Sequence, residues 1–376
     1  MVRFGGRWTK KRPRPESWSP DYLVAETDPI PTSRPTTSPG VLPVATEVPG
    51  ELSPAELHGP VFIPQLVVGA PSPVVEPSVI AEPFGTVPFR PDTTFDGWST
   101  DHFTVRGASV RGHLHRYNGA PRQDEFAVHH LSGGRLLVLV ADGVSQARHA
   151  HIGAMTVVRA AAQWIQTQLP ANTEDTDWRE MINGVAWSLA EQAKILFGLD
   201  GPDSVRAEQE LATTLVCAVI DPLERGAFRA HLIGVGDSGA WLLRDGAFAP
   251  LLQGKTVDEG GFSSSAVSGL PRVPRHEMRP VVIHVGANDV LLIGTDGIGD
   301  PLGNGEGGVG NLIRELLSQS ALPSLIEFAR AIDFSREAFD DDRTLVAVMA
   351  RQSACPPGSL AGTTFNDAPH VTRLNE

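Results

Sequence analysis

The sequence predicts an α+β fold in which antiparallel sheets are covered by paired helices. Three observations predict it. The elements run as strands, two helices, strands, two helices and a last strand, which is not the strict alternation of a doubly wound parallel sheet. Runs such as "RLLVLVA" and "DVLLIGT" are short, apolar and closed by turn residues, the pattern of buried strands. The chain has 376 residues and is 41% hydrophobic, enough for one large core with room for a tail or a second domain.

The N-terminal region stands apart. Of the 31 prolines in the chain, 18 precede Phe95. Stretches such as "PIPTSRPTTSPG" and "APSPVVEPSV" have no helical or strand period that proline would permit. Residues 1–98 are therefore expected to form a disordered or polyproline-like tail. Two apolar pieces, "VFIPQLVV" and "SVIAEPF", read as slightly apolar linker, with docking onto the folded domain or a partner as the alternative. Arg3, Arg7, Lys10, Lys11, Arg12 and Arg14, with Trp8, make the extreme N-terminus basic. This arm reads as the solvated start of a tail; contact with nucleic acid, anionic lipid or an acidic partner is the alternative.

The globular pattern begins near Asp101 and fills residues 99–352, leaving 353–376 as a C-terminal tail. "DEFAVHHL" and "RLLVLVA" read as strands joined through Ser132-Gly133-Gly134. Ile152, Met155, Val158, Ala162, Ile165 and Leu169 recur at helical spacing over 151–169, and a second helix is expected over 177–197. "LATTLVCAVI", "AFRAHLIGVG" and "GAWLLRDG" follow as strands, the last two parted by the turn at Asp237-Ser238. "RPVVIHV" and "DVLLIGT" are further strands, helices are expected over 309–318 and 322–332, and "RTLVAVMA" closes the domain. Trp164, Trp187 and Trp241 lie inside these patterns and read as core or part-buried packing. "GNGEGGVG", residues 303–310, lacks the Lys-Ser/Thr ending of a phosphate loop and follows an acidic strand end rather than a βα entry, so nucleotide binding is not expected there.

Composition narrows the function. A formal net charge of −13 argues against a general nucleic-acid binder, which needs a positive face. Two cysteines, Cys217 and Cys355, make no disulfide framework and suit a reducing cytosol. No apolar stretch approaches the roughly 18–20 residues that span a bilayer. The basic N-terminus is followed by no apolar segment, so no secretory signal is expected.

The acidic residues carry the functional signal. Asp124 opens a strand, Asp142 ends one in "VADGV", and Asp237 sits in a turn. Asp296 and Asp300 follow a strand in "TDGIGD", and Asp340, Asp341 and Asp342 precede the last one. A lone acid at a strand end is ordinarily a turn former. Several converging on one cleft repel each other unless a cation neutralises them. Hard oxygen ligands without His or Cys spacing favour Mg²⁺ or Mn²⁺ over zinc. The glycines after Asp142 and Asp296 let the backbone pass close to an ion.

The ordered set "QDEFAV", "VLVADGVSQ…HIGA", "TTLVCAVID…GVGDSGAWLLRDG", "LLIGTDGIGD" and "DDDRTLVAVM" resembles the metal-dependent type 2C protein serine/threonine phosphatases of bacterial type. The resemblance covers about residues 103–350. It implies an α-β-β-α sandwich of two antiparallel sheets flanked by helix pairs, with a binuclear Mg²⁺ or Mn²⁺ centre at one end. Carried across by motif, Asp142 would bridge both ions and the Gly143 carbonyl would add a ligand. Asp296 and Asp342 would bind one ion, and Asp124 would hold water near the other. Asp237 and Asp300 resemble the pair that holds a third ion in some members. Residues 253–270, rich in Gly and Ser, match the variable flap beside the active site. The implied reaction is attack on a phospho-Ser/Thr phosphorus by a metal-activated water. The implied partners are a phosphoprotein substrate and an antagonistic protein kinase.

The sequence also departs from that pattern. Gln123 stands where many members have glutamate. The phosphate-binding arginine has no unambiguous match: Gly119 falls at its position, Arg116 is the candidate, and Arg122 and Arg111 lie near. Val144, not histidine, follows the first Asp-Gly. His149 and His151 read as solvent-facing residues at a helix start, with a general-acid role as the alternative. These departures motivate the rival reading, a phosphatase-like module that holds a phosphoprotein or regulator with little or no turnover. Other rivals are a different phosphorylated substrate, or a scaffold built on the Pro-rich tail.

Overall fold

Alternation along the apolar strands decides the layering, because successive side chains point to opposite faces. In β5 (Leu136–Ala141), Leu136, Val138 and Val140 face one cluster while Leu137, Leu139 and Ala141 face another. In β11 (Val290–Gly294), Leu291 and Ile293 join the same inner cluster as Val138, and Val290 and Leu292 turn away. Strands apolar on both faces need cover on both faces, and two sheets with outer helices supply it.

The computed structural model describes residues 65–74, 76–80, 90–252, 269–318 and 322–351. They fall in one unit that runs from Phe62 to Glu376. The basic arm, most of the expected tail, residues 253–268 of the expected flap and the C-terminal tail lie outside the described residues. One sheet has five strands in the order β10 (Val281–Val285), β7 (Phe228–Val235), β6 (Leu215–Pro222), β5, β4 (Glu125–His130). The other has six, in the order β2 (Thr93–Asp96), β3 (Phe103–Val110), β13 (Arg343–Ala350), β11, β8 (Gly239–Arg244), β9 (Ala247–Leu252). All pairings in both are antiparallel.

The outer helices pack in two groups. Against the five-stranded sheet lie α2 (Ala150–Gln168), α3 (Trp178–Phe197) and α4 (Ser204–Leu211). Against the six-stranded sheet lie α5 (Asp296–Leu302), α6 (Gly308–Leu317) and α7 (Leu325–Ile332). Each fully buried Leu, Ile or Val here contributes about 1.5–3 kcal/mol of burial free energy. Local chemistry sets the ends. Asp177 caps α3 by accepting the Glu180 N–H at 2.9 Å, and Ser324 with Glu327 forms a capping box on α7. The expected α-β-β-α sandwich is the observed architecture.

Three details differ from the sequence expectation. The six-stranded sheet begins at Thr93, before the boundary expected at residue 99, because β2 pairs with β3 from Thr93↔Val110 to Asp96↔Gly107. Part of "VFIPQLVV" is not linker: β1 (Leu66–Val67) pairs in parallel with β12 (Phe334–Ser335). Trp187 is 60% exposed, since its place on α3 faces away from the sheet. Trp241 is buried as expected.

Register brings the acidic strand ends together. Gly294 of β11 pairs with Gly239 of β8 and with Leu345 of β13, so Asp237, Asp296 and the aspartates before Arg343 leave the same edge of one sheet. Glu125 pairs with Ala141, which places Asp124 beside Asp142 at one edge of the other.

Candidate metal centre

Asp142 is held by its backbone. Its N–H donates to Thr214 Oγ1 at 2.9 Å, and its carbonyl accepts from the Thr214 N–H and Thr213 Oγ1, both at 2.7 Å. Asp296 is the first residue of α5, after the N-cap Thr295, and Asp237 lies in the turn between β7 and β8. Ligand oxygens of Asp142, Asp237 and Asp296 all lie within 4.8 Å of one another. They open on a cavity of about 490 Å³, lined also by Gly143, Glu208, Arg272 and Asp341. Asp300 lines an adjoining hollow of about 410 Å³ with Asp237 and Asp296. Removal from water pushes the Asp142 carboxyl well above the usual carboxylate range, and the charges of Asp124, Asp296 and Asp341 push it further.

Asp124 lies deeper, 1% exposed. Its Oδ2 accepts from Thr295 Oγ1 at 2.8 Å and Thr344 Oγ1 at 2.7 Å, whereas its Oδ1 and the Oε1 of Gln123 are buried without a hydrogen-bond partner. Burial first, then the charge of Asp342, raises Asp124 to about 8. Mutually repelling carboxylates and buried oxygens with no donor fit hard divalent cations: an all-oxygen donor set, with charge that a cation relieves.

Asp342 does not join this group as expected. Its Oδ1 accepts the Gly112 N–H at 2.6 Å and lies 2.9 Å from His115 Nδ1, and its Oδ2 accepts the Gln123 N–H at 2.5 Å. Burial would raise this carboxyl, but the His115 charge and the two backbone donors outweigh it and hold the group low. The same pairing overcomes the burial of His115 and lifts it to about 9. Asp341 is the residue of the run that lines the cavity. Ligand atoms of Asp341, Asp342 and His115 lie within 4.8 Å of one another, so Asp341 stands between the Asp342–His115 pair and the cavity.

Nor does the structure place Arg116 at the cavity. Its Nη2 lies 2.8 Å from Asp92 Oδ2 and its Nη1 3.0 Å from Asp333 Oδ1. It clamps α1 (His113–Asn118) to the segment before β2 and to the end of α7. Arg111 also pairs with Asp92, at 2.8 Å, and Arg122 is 1% exposed. Gly119 caps α1 with φ 65°. Among the described residues, the basic residue that does line the cavity is Arg272, which no motif spacing singled out. His149 and His151 do not face solvent: His149 Nδ1 lies 3.1 Å from Glu210 Oε2, and His151 is 1% exposed with burial lowering it to about 4.

The chain is similar to several solved structures. The catalytic domain of the serine/threonine protein phosphatase PstP in complex with two manganese ions is 21% identical, with 66% of this chain and 98% of that one covered and a TM-score of 0.45. The Mycobacterium tuberculosis serine/threonine phosphatase PstP/Ppp is 20% identical over 66% and 98%, with a TM-score of 0.44. PppA, described as a key regulatory component of T6SS in Pseudomonas aeruginosa, is 17% identical over 68% and 100%, with a TM-score of 0.43. No curated protein sequence matches the chain. The sequence profile described as protein phosphatase 2C matches residues 111–330, more than half of the chain. The chain belongs to the protein phosphatase 2C family.

Proposed function

We propose that the protein is a metal-dependent phosphoprotein phosphatase that hydrolyses phospho-Ser/Thr. The observation that carries this reading is the convergence of Asp142, Asp237 and Asp296 within 4.8 Å, with Asp341 on the same cavity. Asp142, the Gly143 carbonyl, Asp296 and Asp341 would hold two Mg²⁺ or Mn²⁺ ions. Asp124 and Gln123 would serve through water beneath them, and Asp237 with Asp300 would hold a third. Bound there, the ions would supply a water acidified for attack on phosphorus and screen charge on the phosphoryl oxygens.

The chain's own residues prepare the site. Thr213 and Thr214 fix the Asp142 backbone from β6, so binding requires little rearrangement of that ligand. Thr295 and Thr344 orient Asp124 through its Oδ2 and leave Oδ1 free to accept a proton or a water hydrogen. Cys217 is fully buried in β6 and burial pushes its thiol up, so it does not serve as a nucleophile.

Assay of purified protein on a phosphoserine peptide with Mn²⁺ tests the reading, with Asp142→Asn as control. The expected result is Mn²⁺-dependent release of phosphate that falls by several orders of magnitude in the variant, about the size seen when a key group is removed. A wild type that binds Mn²⁺ tightly but releases no phosphate would favour the non-hydrolytic module. We further propose a cytosolic location and a protein kinase that makes the substrate. No helix among the described residues is long and apolar enough to cross a membrane.

A further inference from the structure

We propose that Arg272 grips the phosphoryl group of the substrate. The inference rests on the phosphatase reading and deepens it. A phosphomonoester entering the cavity meets Asp142, Glu208, Asp237, Asp296 and Asp341. Among the described residues, Arg272 is the one basic side chain that lines this space. Three other arginines near the site are engaged, Arg116 and Arg111 with Asp92 and Arg90 with Glu125 at 2.8 Å, and Arg122 is buried at 1% exposure and does not line the cavity.

The backbone of Arg272 is positioned with respect to the acidic cluster. Leu270 and Thr213 exchange hydrogen bonds at 2.8 and 3.1 Å, and Thr213 Oγ1 donates to the Asp142 carbonyl at 2.7 Å. Two residues on, the Arg272 N–H donates to the Gly269 carbonyl at 3.1 Å. A Cβ on Gly269 would lie 2.7 Å from the Thr213 carbonyl oxygen, so only glycine permits this approach. Downstream, Arg179 of α3 donates to the carbonyls of Pro274 and His276. The segment is therefore tied at both ends, and one tie runs through Thr213 to Asp142.

The guanidinium itself is replaceable in its partner. It pairs with Glu208 of α4, and the two side chains are 64% and 35% exposed. An exposed ion pair of this kind is weakly held. A phosphoryl group offers a bidentate, doubly charged acceptor that competes with one carboxylate. Glu208 thus holds Arg272 at the rim and yields it when phosphate arrives.

Calorimetric binding of inorganic phosphate to the Mn²⁺-loaded full-length protein tests this without turnover. Arg272→Ala is expected to weaken phosphate binding about tenfold, with Arg272→Lys intermediate. Glu208→Gln is expected to tighten it by about threefold, since the arginine loses its competitor. Mn²⁺ affinity should stay unchanged in all three variants. A wild type that binds no phosphate, or an Arg272→Ala variant that binds it as well as wild type, overturns the proposal. Unchanged phosphate affinity with a raised KM for a phosphopeptide bearing acidic flanks also overturns it and assigns Arg272 to the peptide. A protein that binds phosphate through Arg272 but hydrolyses no phosphopeptide defeats the phosphatase reading alone.

Discussion

The duties proposed for Asp341 and Asp342, chemically identical neighbours, are opposite. Asp342 is fully engaged by Gly112, Gln123 and His115, so its role is to tie α1 and the start of β4 to β13. Asp342→Asn is expected to destabilise the metal-free fold by about 2–4 kcal/mol, because a buried charge pair loses one member; denaturant unfolding measures this. Asp341→Asn is expected to leave that stability nearly unchanged or raise it, since a like charge near Asp142 is removed. The same variant should lose most Mn²⁺ affinity by calorimetry. Equal stability losses in both variants would contradict the division of labour.

At the scale of elements, a strap from the Pro-rich region braces the loop that carries these aspartates. Beyond the β1–β12 pair, the Ser72 N–H donates to Ser335 Oγ at 2.9 Å, and the Ser72 hydroxyl donates to Asp340 Oδ1 at 2.6 Å, with the Arg336 carbonyl oxygen 3.0 Å from the same Oγ. The Ser78 N–H donates to the Arg116 carbonyl at 3.0 Å, tying the same strap to α1. Ser72→Ala is expected to cost about 1 kcal/mol, the net worth of a hydrogen bond with a charge-bearing partner at a part-buried site, measured by thermal unfolding. Removal of residues 1–80 removes the whole brace. It should weaken Mn²⁺ binding severalfold without touching a ligand, because the Asp341 loop is then less pre-organised. Unchanged Mn²⁺ affinity in the truncated chain would show that the strap is decoration.

For the whole molecule, the proposed metal centre predicts that pH and metal are linked through the acidic cluster. Burial, then the charge of Asp342, raises Asp124 from the ordinary 3.8 to about 8 in the folded metal-free protein. A raised folded value means stability that is present below the unfolded pKa and lost as pH rises through the folded one. Asp142 is displaced in the same direction. His151 works the other way: burial lowers it from 6.5 to about 4, so its contribution is present above pH 6.5 and is lost as pH falls toward 4. Divalent ions bound at the proposed centre would act on the carboxylates and not on His151. The difference in Tm between Mn²⁺-loaded and EDTA-treated protein is therefore expected to widen steadily from pH 5 to pH 8. A difference that narrows over this range would contradict a carboxylate metal centre.

The order of residues alone dictates the layers and the address of the site. Apolar runs with period 2 and period 3.6 identify which segments bury which faces, and turn chemistry places acids at the mouths of β4, β5, β11 and β13. Short elements escaped this reading. In α1 the helix has six residues, too few for a period to show, and α5 is obscured by Gly297, Gly299 and Pro301. Pairing decided the rest. Which aspartate of 340–342 faces the cavity depends on the register of β13 against β3 and β11. That Arg116 does not serve the cavity depends on Asp92 and Asp333 meeting it across long sequence separations. That Arg272 stands at the rim depends on the Leu270–Thr213 hydrogen bonds. Local sequence encodes the propensity and polarity of each segment, but the direction of a side chain at a strand end, and the partner that neutralises it, come from residues brought near only when the two sheets close on each other.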